Sequence, residues 1–135
     1  MAMAFLVGLI LAICVGIFAT VVGLDRDRAF YPTVTIVIAS VYVLFAVMAD
    51  STHALVSELA MGAAFIVAAV VGFRRSLWIV VAALAGHGAQ DFVHSSLVAN
   101  PGVPAWWPAF CGAYDVAAAL YLAWLIQSRR VRAAS

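Results

Sequence analysis

The chain has 135 residues, room for one domain. Of these, 67% are hydrophobic and 10% charged, with a formal net charge of +1. So much apolar side chain exceeds what a soluble domain of this size can bury, and with no basic patch interleaved with aromatics no nucleic-acid partner is expected.

A membrane-spanning helix needs about 20 mostly apolar residues. Five stretches qualify: 3–24, 33–49, 54–73, 77–98 and 108–126. The predicted fold class is all-α, a single polytopic domain of five transmembrane helices over residues 1–135. The first stretch has no charge before it, and Arg26 and Arg28 follow it. That pattern predicts a retained helix with its N-terminus outside, not a cleaved signal peptide. Gly8, Ala12 and Gly16 form a seam that lets helix backbones approach closely, either within the bundle or against a second copy in a homo-oligomer.

The second stretch begins near Pro32, where a missing N–H does little harm. The turn "DSTH" follows and is expected to hold His53. The third stretch places Glu58 four residues in, and Ala60, Ala64, Ala68 and Gly72 form its predicted seam. The fourth contains "LAGHGAQDFVHSSLVA", with His87, Asp91 and His94 at i, i+4 and i+7. On a helix they share roughly 60° of arc, with Gln90 beside them. "ANPGVPAWW" is expected to form an ordered loop over this polar face, its tryptophans serving as interfacial anchors or as a lid. In the fifth stretch Asp115 lies about 10 Å from the outer end, with Cys111 one turn before it on the same face. Cys14 and Cys111 lie at different depths, which predicts no disulfide and two buried thiols.

Alternating the five helices sorts the charges. Arg26, Arg28, Arg74, Arg75, Arg129, Arg130 and Arg132 all fall on one side, and none on the other. That side is the expected cytoplasm, with the C-terminus inside. Aromatic residues mark both interfaces, Trp106 and Trp107 the outer, Tyr31, Trp78 and Trp124 the inner. All cations are arginine in a chain rich in Ala and Val, which points to a GC-rich bacterial genome. The expected location is the bacterial inner (cytoplasmic) membrane.

An ionised carboxylate at the bilayer centre costs about 2.5–3.5 kcal/mol. Several at similar depth are tolerable if they share a cation, are protonated or meet water. Imidazole and carboxylate together suit Zn, Fe or Mn, and the Asp91–His94 spacing is the i, i+3 spacing of di-metal helix bundles. The predicted metal ligands for a divalent ion are His87, Asp91, His94 and Asp115, with Glu58 or His53 as general base. The expected function is a metal-dependent membrane enzyme, hydrolase-like, acting on a membrane lipid or other apolar substrate. A metal-ion or proton transporter component and a non-catalytic membrane subunit are the alternatives. The phosphate-binding loop, the dinucleotide glycine pattern, the serine elbow and a CxxC pair are absent from the sequence.

"DRAFYPTVTIVIASVYVLFAVM", "GHGAQDFVH" and "NPGVPAWWPAFCGAYDVAAALYLAW" resemble a family of small bacterial integral membrane proteins of unknown function. The resemblance covers most of the chain from the first loop onward. It implies a membrane protein and carries no activity. A looser likeness to zinc-dependent membrane hydrolases of the alkaline-ceramidase superfamily transfers no residue role, because this chain is shorter and lacks their full histidine set.

Overall fold

The computed structural model describes residues 1–132. They form five helices: α1 (Ala2–Val22), α2 (Phe30–Met48), α3 (Thr52–Arg74), α4 (Leu77–Leu97) and α5 (Trp107–Gln127). At 1.5 Å per residue, a helix of this length runs about 30 Å, the thickness of a bilayer's hydrocarbon core. Pro32 and Pro108 both lie in first turns, where proline fits. His53 departs from expectation. Ser51 caps α3 by accepting a hydrogen bond from the Ala54 N–H at 3.3 Å, so His53 lies in the helix's first turn and is exposed.

Short connections make sequence neighbours antiparallel, and hydrogen bonds tie the ends together. The Arg28 guanidinium donates to the Phe73 carbonyl at 2.8 Å and to the Arg132 carbonyl at 3.2 Å. The α1–α2 link, the end of α3 and the segment after α5 therefore meet at one end of the bundle. That end carries all seven arginines, and the three histidines lie in its other half. These are the arginine end and the histidine end of the bundle.

In space the helices run α1, α5, α4, α3, α2, with α2 also reaching α4. The α1 seam of Gly8, Ala12, Gly16 and Ala19 is buried, and α1 packs on α5. A Cβ at Gly8 would overlap the Phe110 carbonyl, and one at Gly16 would lie 3.0 Å from the Tyr121 ring. This seam therefore joins helices of one chain. The α3 seam is shifted from its expected register. Ala60 and Ala64 are exposed, while Ala54, Glu58, Gly62, Ala69 and Gly72 are buried. Gly62 brings α3 close to the Ala39 carbonyl of α2 (2.9 Å from a built Cβ), and Gly72 meets Val80 of α4. One face of α3 must serve two neighbours, and the small-residue pattern alone does not show that. Cys111 is buried as expected, but Cys14 is exposed on the outer face of α1.

Four helices, α1, α2, α3 and α5, are long and apolar enough to cross a membrane. α4 is as long but carries His87, Gln90, Asp91 and His94. Its position explains this. α4 lies between α3 and α5 with α2 nearby, so its buried face, Leu77, Val80, Ala83, Leu84, His87, Gly88, Asp91 and His94, meets protein on three sides.

Gly8→Leu should lower stability in detergent by about 1–3 kcal/mol, because the side chain has no room against the α5 backbone. Val7→Leu, at an exposed neighbour, should leave the unfolding midpoint unchanged in the same thermal melt.

Candidate metal centre

α4 and α5 come close together at two glycines. A Cβ built at Gly88 would lie 3.0 Å from the Gly112 carbonyl oxygen and 3.1 Å from the Asp115 Cβ. One built at Gly112 would lie 3.1 Å from the Gly88 carbonyl oxygen. Small residues allow such a crossing, and each glycine sits beside an i, i+4 pair. His87 and Asp91 flank Gly88. Cys111 and Asp115 flank Gly112. The crossing turns the two pairs toward each other.

The result is a compact polar group in an apolar interior. His87 Nδ1 lies 2.7 Å from Asp115 Oδ2 and 3.7 Å from Asp91 Oδ2. Cys111 Sγ lies 4.0 Å from Asp115 Oδ2. One ligand atom from each of the four residues falls within 4.8 Å of all the others, and all four residues are buried. Around a tetrahedral ion with bonds of about 2.0–2.3 Å, ligand atoms are roughly 3.3–3.8 Å apart, so small side-chain rotations would close the shell. Two oxygens carry particular weight. Asp91 Oδ2 and Asp115 Oδ1 are buried and have no hydrogen-bond partner. Buried polar atoms are normally paired, and two orphaned carboxylate oxygens in one group are what a cation would satisfy.

A second polar group adjoins the first. Tyr42 Oη of α2 donates to Asp91 Oδ1 at 2.8 Å, and its ring stacks on His94 with centroids 4.0 Å apart. His94 Nε2 lies 2.8 Å from Glu58 Oε1. Asn100 Nδ2 donates to the same oxygen at 2.9 Å and to the Tyr42 carbonyl at 3.1 Å. We assign the proton between His94 and Glu58 to Nε2, since Glu58 Oε1 already accepts from Asn100. The loop before α5 thus anchors the site. Gly102 closes against the Phe45 carbonyl, where any Cβ would overlap, and its N–H donates to Asn100 Oδ1 at 3.2 Å.

The sequence-derived ligand set of His87, Asp91, His94 and Asp115 differs from this group in one member. Cys111 stands where His94 was expected. The reason is helix pitch: His94 is seven residues from His87, about 10 Å along the axis, too far to share one ion with it. Asp91 turns to α5, and His94 turns to α3. Glu58 is buried with Oε1 engaged by His94 and Asn100, and His53 is exposed. Sequence reasoning passed over Tyr42 and Asn100. Tyr42 is a lone hydroxyl in an apolar stretch with no motif around it. Asn100 directly precedes Pro101, where an asparagine usually marks a turn.

Both groups meet at a cavity of about 1060 Å³ at the histidine end, whose lining includes Asp91, His94, Asn100 and His53. Toward the arginine end the contact between α4 and α5 turns apolar, in a core that also includes the buried Tyr31 of α2. Leu77, Val80 and Leu84 of α4 interlock with Ala118, Leu122 and Leu125 of α5.

Fold and site together define an all-helical protein, four of whose helices could cross a membrane, with a buried His/Asp/Cys/Asp group able to hold a metal ion. No protein-family model matches the chain, and no curated protein and no solved structure matches it.

Tyr42→Phe should destabilise the protein by about 1–3 kcal/mol, because it strips the Asp91 Oδ1 acceptor of its buried donor. Urea or thermal unfolding in detergent reads this directly. Thr33→Val, whose exposed hydroxyl bonds the Ala29 carbonyl, serves as the control and should change little.

Proposed function

We propose that the protein is a membrane metalloenzyme of the hydrolase type, with one divalent ion held by His87, Asp91, Cys111 and Asp115. The observation that carries the reading is the pair of unpartnered buried oxygens, Asp91 Oδ2 and Asp115 Oδ1, within one four-ligand group. Two carboxylates side by side in an apolar interior repel unless a cation or protons neutralise them. His87 and Asp115, which now share a hydrogen bond, would hold the ion in its place. A thiolate ligand favours zinc, then iron, over manganese.

The ion would lower the pKa of a bound water and polarise a substrate carbonyl. Asp91 belongs to the ligand group and also lines the cavity, so substrate reaches the centre from that side. His94 lines the cavity too, held by Glu58 through Nε2, and takes the role of proton acceptor. Glu58 positions His94, as Asn100 positions Glu58. The contact between α4 and α5 toward the arginine end, Leu84 against Leu122 and Leu125, offers no carboxylate, imidazole or thiol, which favours an enzyme over a conduit. The arginine end would face the cytoplasm of a bacterial inner membrane, which places the site near the periplasmic surface.

Elemental analysis of the detergent-purified protein should find about one zinc or iron per chain. Asp115→Asn should abolish it. Cys111→Ser, nearly the same shape, should weaken binding by about 10–100-fold while preserving the helical circular dichroism. A metal-free preparation that is fully folded, and whose melting temperature ignores both added zinc and chelator, contradicts the proposal.

A further inference from the structure

The arginine end holds a second cavity, of about 310 Å³, where the chain leaves α1 and α5. Thr20, Asp25, Arg26, Leu125 and Arg130 line it, and none of them belongs to the metal group. Three of the five are charged. Among the described residues, Arg26 and Arg130 make no ion pair or hydrogen bond with Asp25 or with any other side chain. Asp27, Arg28 and Arg129, the nearest charges in sequence, lie outside the lining.

Each of the three charges is held in place. Asp25 is buried, at 4% exposure. Thr20 Oγ1 donates to its Oδ2 at 2.6 Å, which commits the one threonine proton. Tyr121 Oη is therefore the donor to Thr20 Oγ1, at 3.1 Å. Asp25 Oδ1 accepts no hydrogen bond among the described residues. Arg26 folds back over Gly23, which ends α1 with a left-handed φ of 88°; a Cβ there would lie 3.0 Å from Arg26 Nε. Arg129 turns the chain after α5 with a φ of 57°, so that the Arg130 N–H donates to the Leu125 carbonyl at 2.9 Å. The Arg130 guanidinium then sits over the Trp124 ring, 4.8 Å from its centroid. A guanidinium held on an aromatic face keeps N–H groups free to bind phosphate oxygens.

The charge pattern selects the ligand. A simple anion would satisfy the two arginines but face the Asp25 carboxylate, and a simple cation would do the reverse. A ligand carrying both charges answers all three groups. We propose that this cavity binds a phosphate joined by a short linker to a primary ammonium, the phosphoethanolamine head of a membrane lipid or the same group free in solution. The phosphate lies between Arg26 and Arg130, and the ammonium donates to Asp25 Oδ1. A choline head has no N–H to donate to Asp25, and a glycerol head brings no positive charge. The volume is at the low end for small-molecule sites and suits a head group without its chains. Val21, Leu24 and Trp124, next to lining residues in sequence, are exposed apolar surface on which acyl chains could rest. Basic pockets between membrane helices are known seats for lipid head groups.

Calorimetric titration of the full chain in detergent, with dihexanoyl phospholipids bearing ethanolamine, choline or glycerol heads, tests this. The ethanolamine lipid should bind at least about tenfold more tightly than the other two. Arg26→Gln with Arg130→Gln, both at exposed positions, should weaken that binding by at least about tenfold. Arg75→Gln, exposed and outside the cavity, should leave it unchanged. Asp25→Asn keeps an acceptor for Thr20 and should move the glycerol lipid ahead of the ethanolamine lipid. If that variant does not fold, the head-group order and the arginine variants decide alone. Glycerophosphoethanolamine, which lacks acyl chains, separates the two sources: weaker binding than the ethanolamine lipid assigns the site to lipid, and equal binding assigns it to the free head group. Equal binding of the three lipids, preference of the unaltered chain for the choline or glycerol lipid, or binding that ignores both arginine substitutions overturns the proposal.

Discussion

The close contact of Gly88 with Gly112 is the constraint on which the rest depends. Two helix backbones meet there with no side chain between them, so the residues on either side of each glycine are driven face to face. On α4 those are His87 and Asp91. On α5 they are Cys111 and Asp115. Larger residues at the crossing would hold the helices several tenths of an ångström further apart, and the four ligand atoms would lose the mutual reach that makes them one group. The same contact brings Phe92 onto Gly112, with its ring 3.0 Å from a built Cβ, and so sets one wall of the cavity. Backbone proximity thus shapes both the ligand group and its approach.

Polarity is gathered toward the two ends of the bundle. At the arginine end, guanidinium groups tie backbone segments together, as Arg28 does between Phe73 and Arg132. Thr20 Oγ1 donates to Asp25 Oδ2 at 2.6 Å there, and Arg130 lies over the Trp124 ring. The middle is mainly aliphatic, with Leu77, Val80, Leu84, Leu122 and Leu125 at its centre and tyrosines around them. The histidine end holds a continuous polar chain: Asp115 to His87, then Asp91, Tyr42 and, by ring stacking, His94, then Glu58 and Asn100. Every neighbour in that chain comes from a different helix or from the 98–106 loop, except His87 and Asp91. Such a network fixes the mutual placement of α2, α3, α4 and α5, since breaking any of its hydrogen bonds leaves a buried polar atom unpaired. The same polar atoms thus hold the helices together and form the group that could hold a metal ion.

The sequence showed the helices clearly, because about 20 apolar residues between short polar breaks leave few alternatives. Each observed boundary lies within three residues of its expected position. It also placed His87, Asp91 and Asp115 in one group, from depth and helical phase. What stayed hidden depended on rotation about helix axes. Whether His94 faces α5 or α3 is decided by which neighbour claims each side of α4, and neither hydropathy nor spacing encodes that. Cys111 was seen on the Asp115 face, yet a thiol in an apolar helix looks like any small buried residue. Tyr42 and Asn100 act through contacts with residues 49 and 42 positions away, and nothing local signals them. The α3 seam held at Gly72 and missed at Ala60 and Ala64 for the same reason. Ala60 and Ala64 have the right spacing, but Gly62 has the right direction.

The central claim is that a buried thiolate and its three neighbours act as one shell around one ion. Cobalt(II) substitution tests this most directly, because a sulfur-to-cobalt charge-transfer band arises only when the thiolate itself binds. The account predicts that band at saturation with one equivalent, together with the visible bands of a tetrahedral site, and predicts that Cys111→Ser removes the first while keeping the second. Cobalt that binds without any charge-transfer band, or a band unaffected by Cys111→Ser, would contradict it.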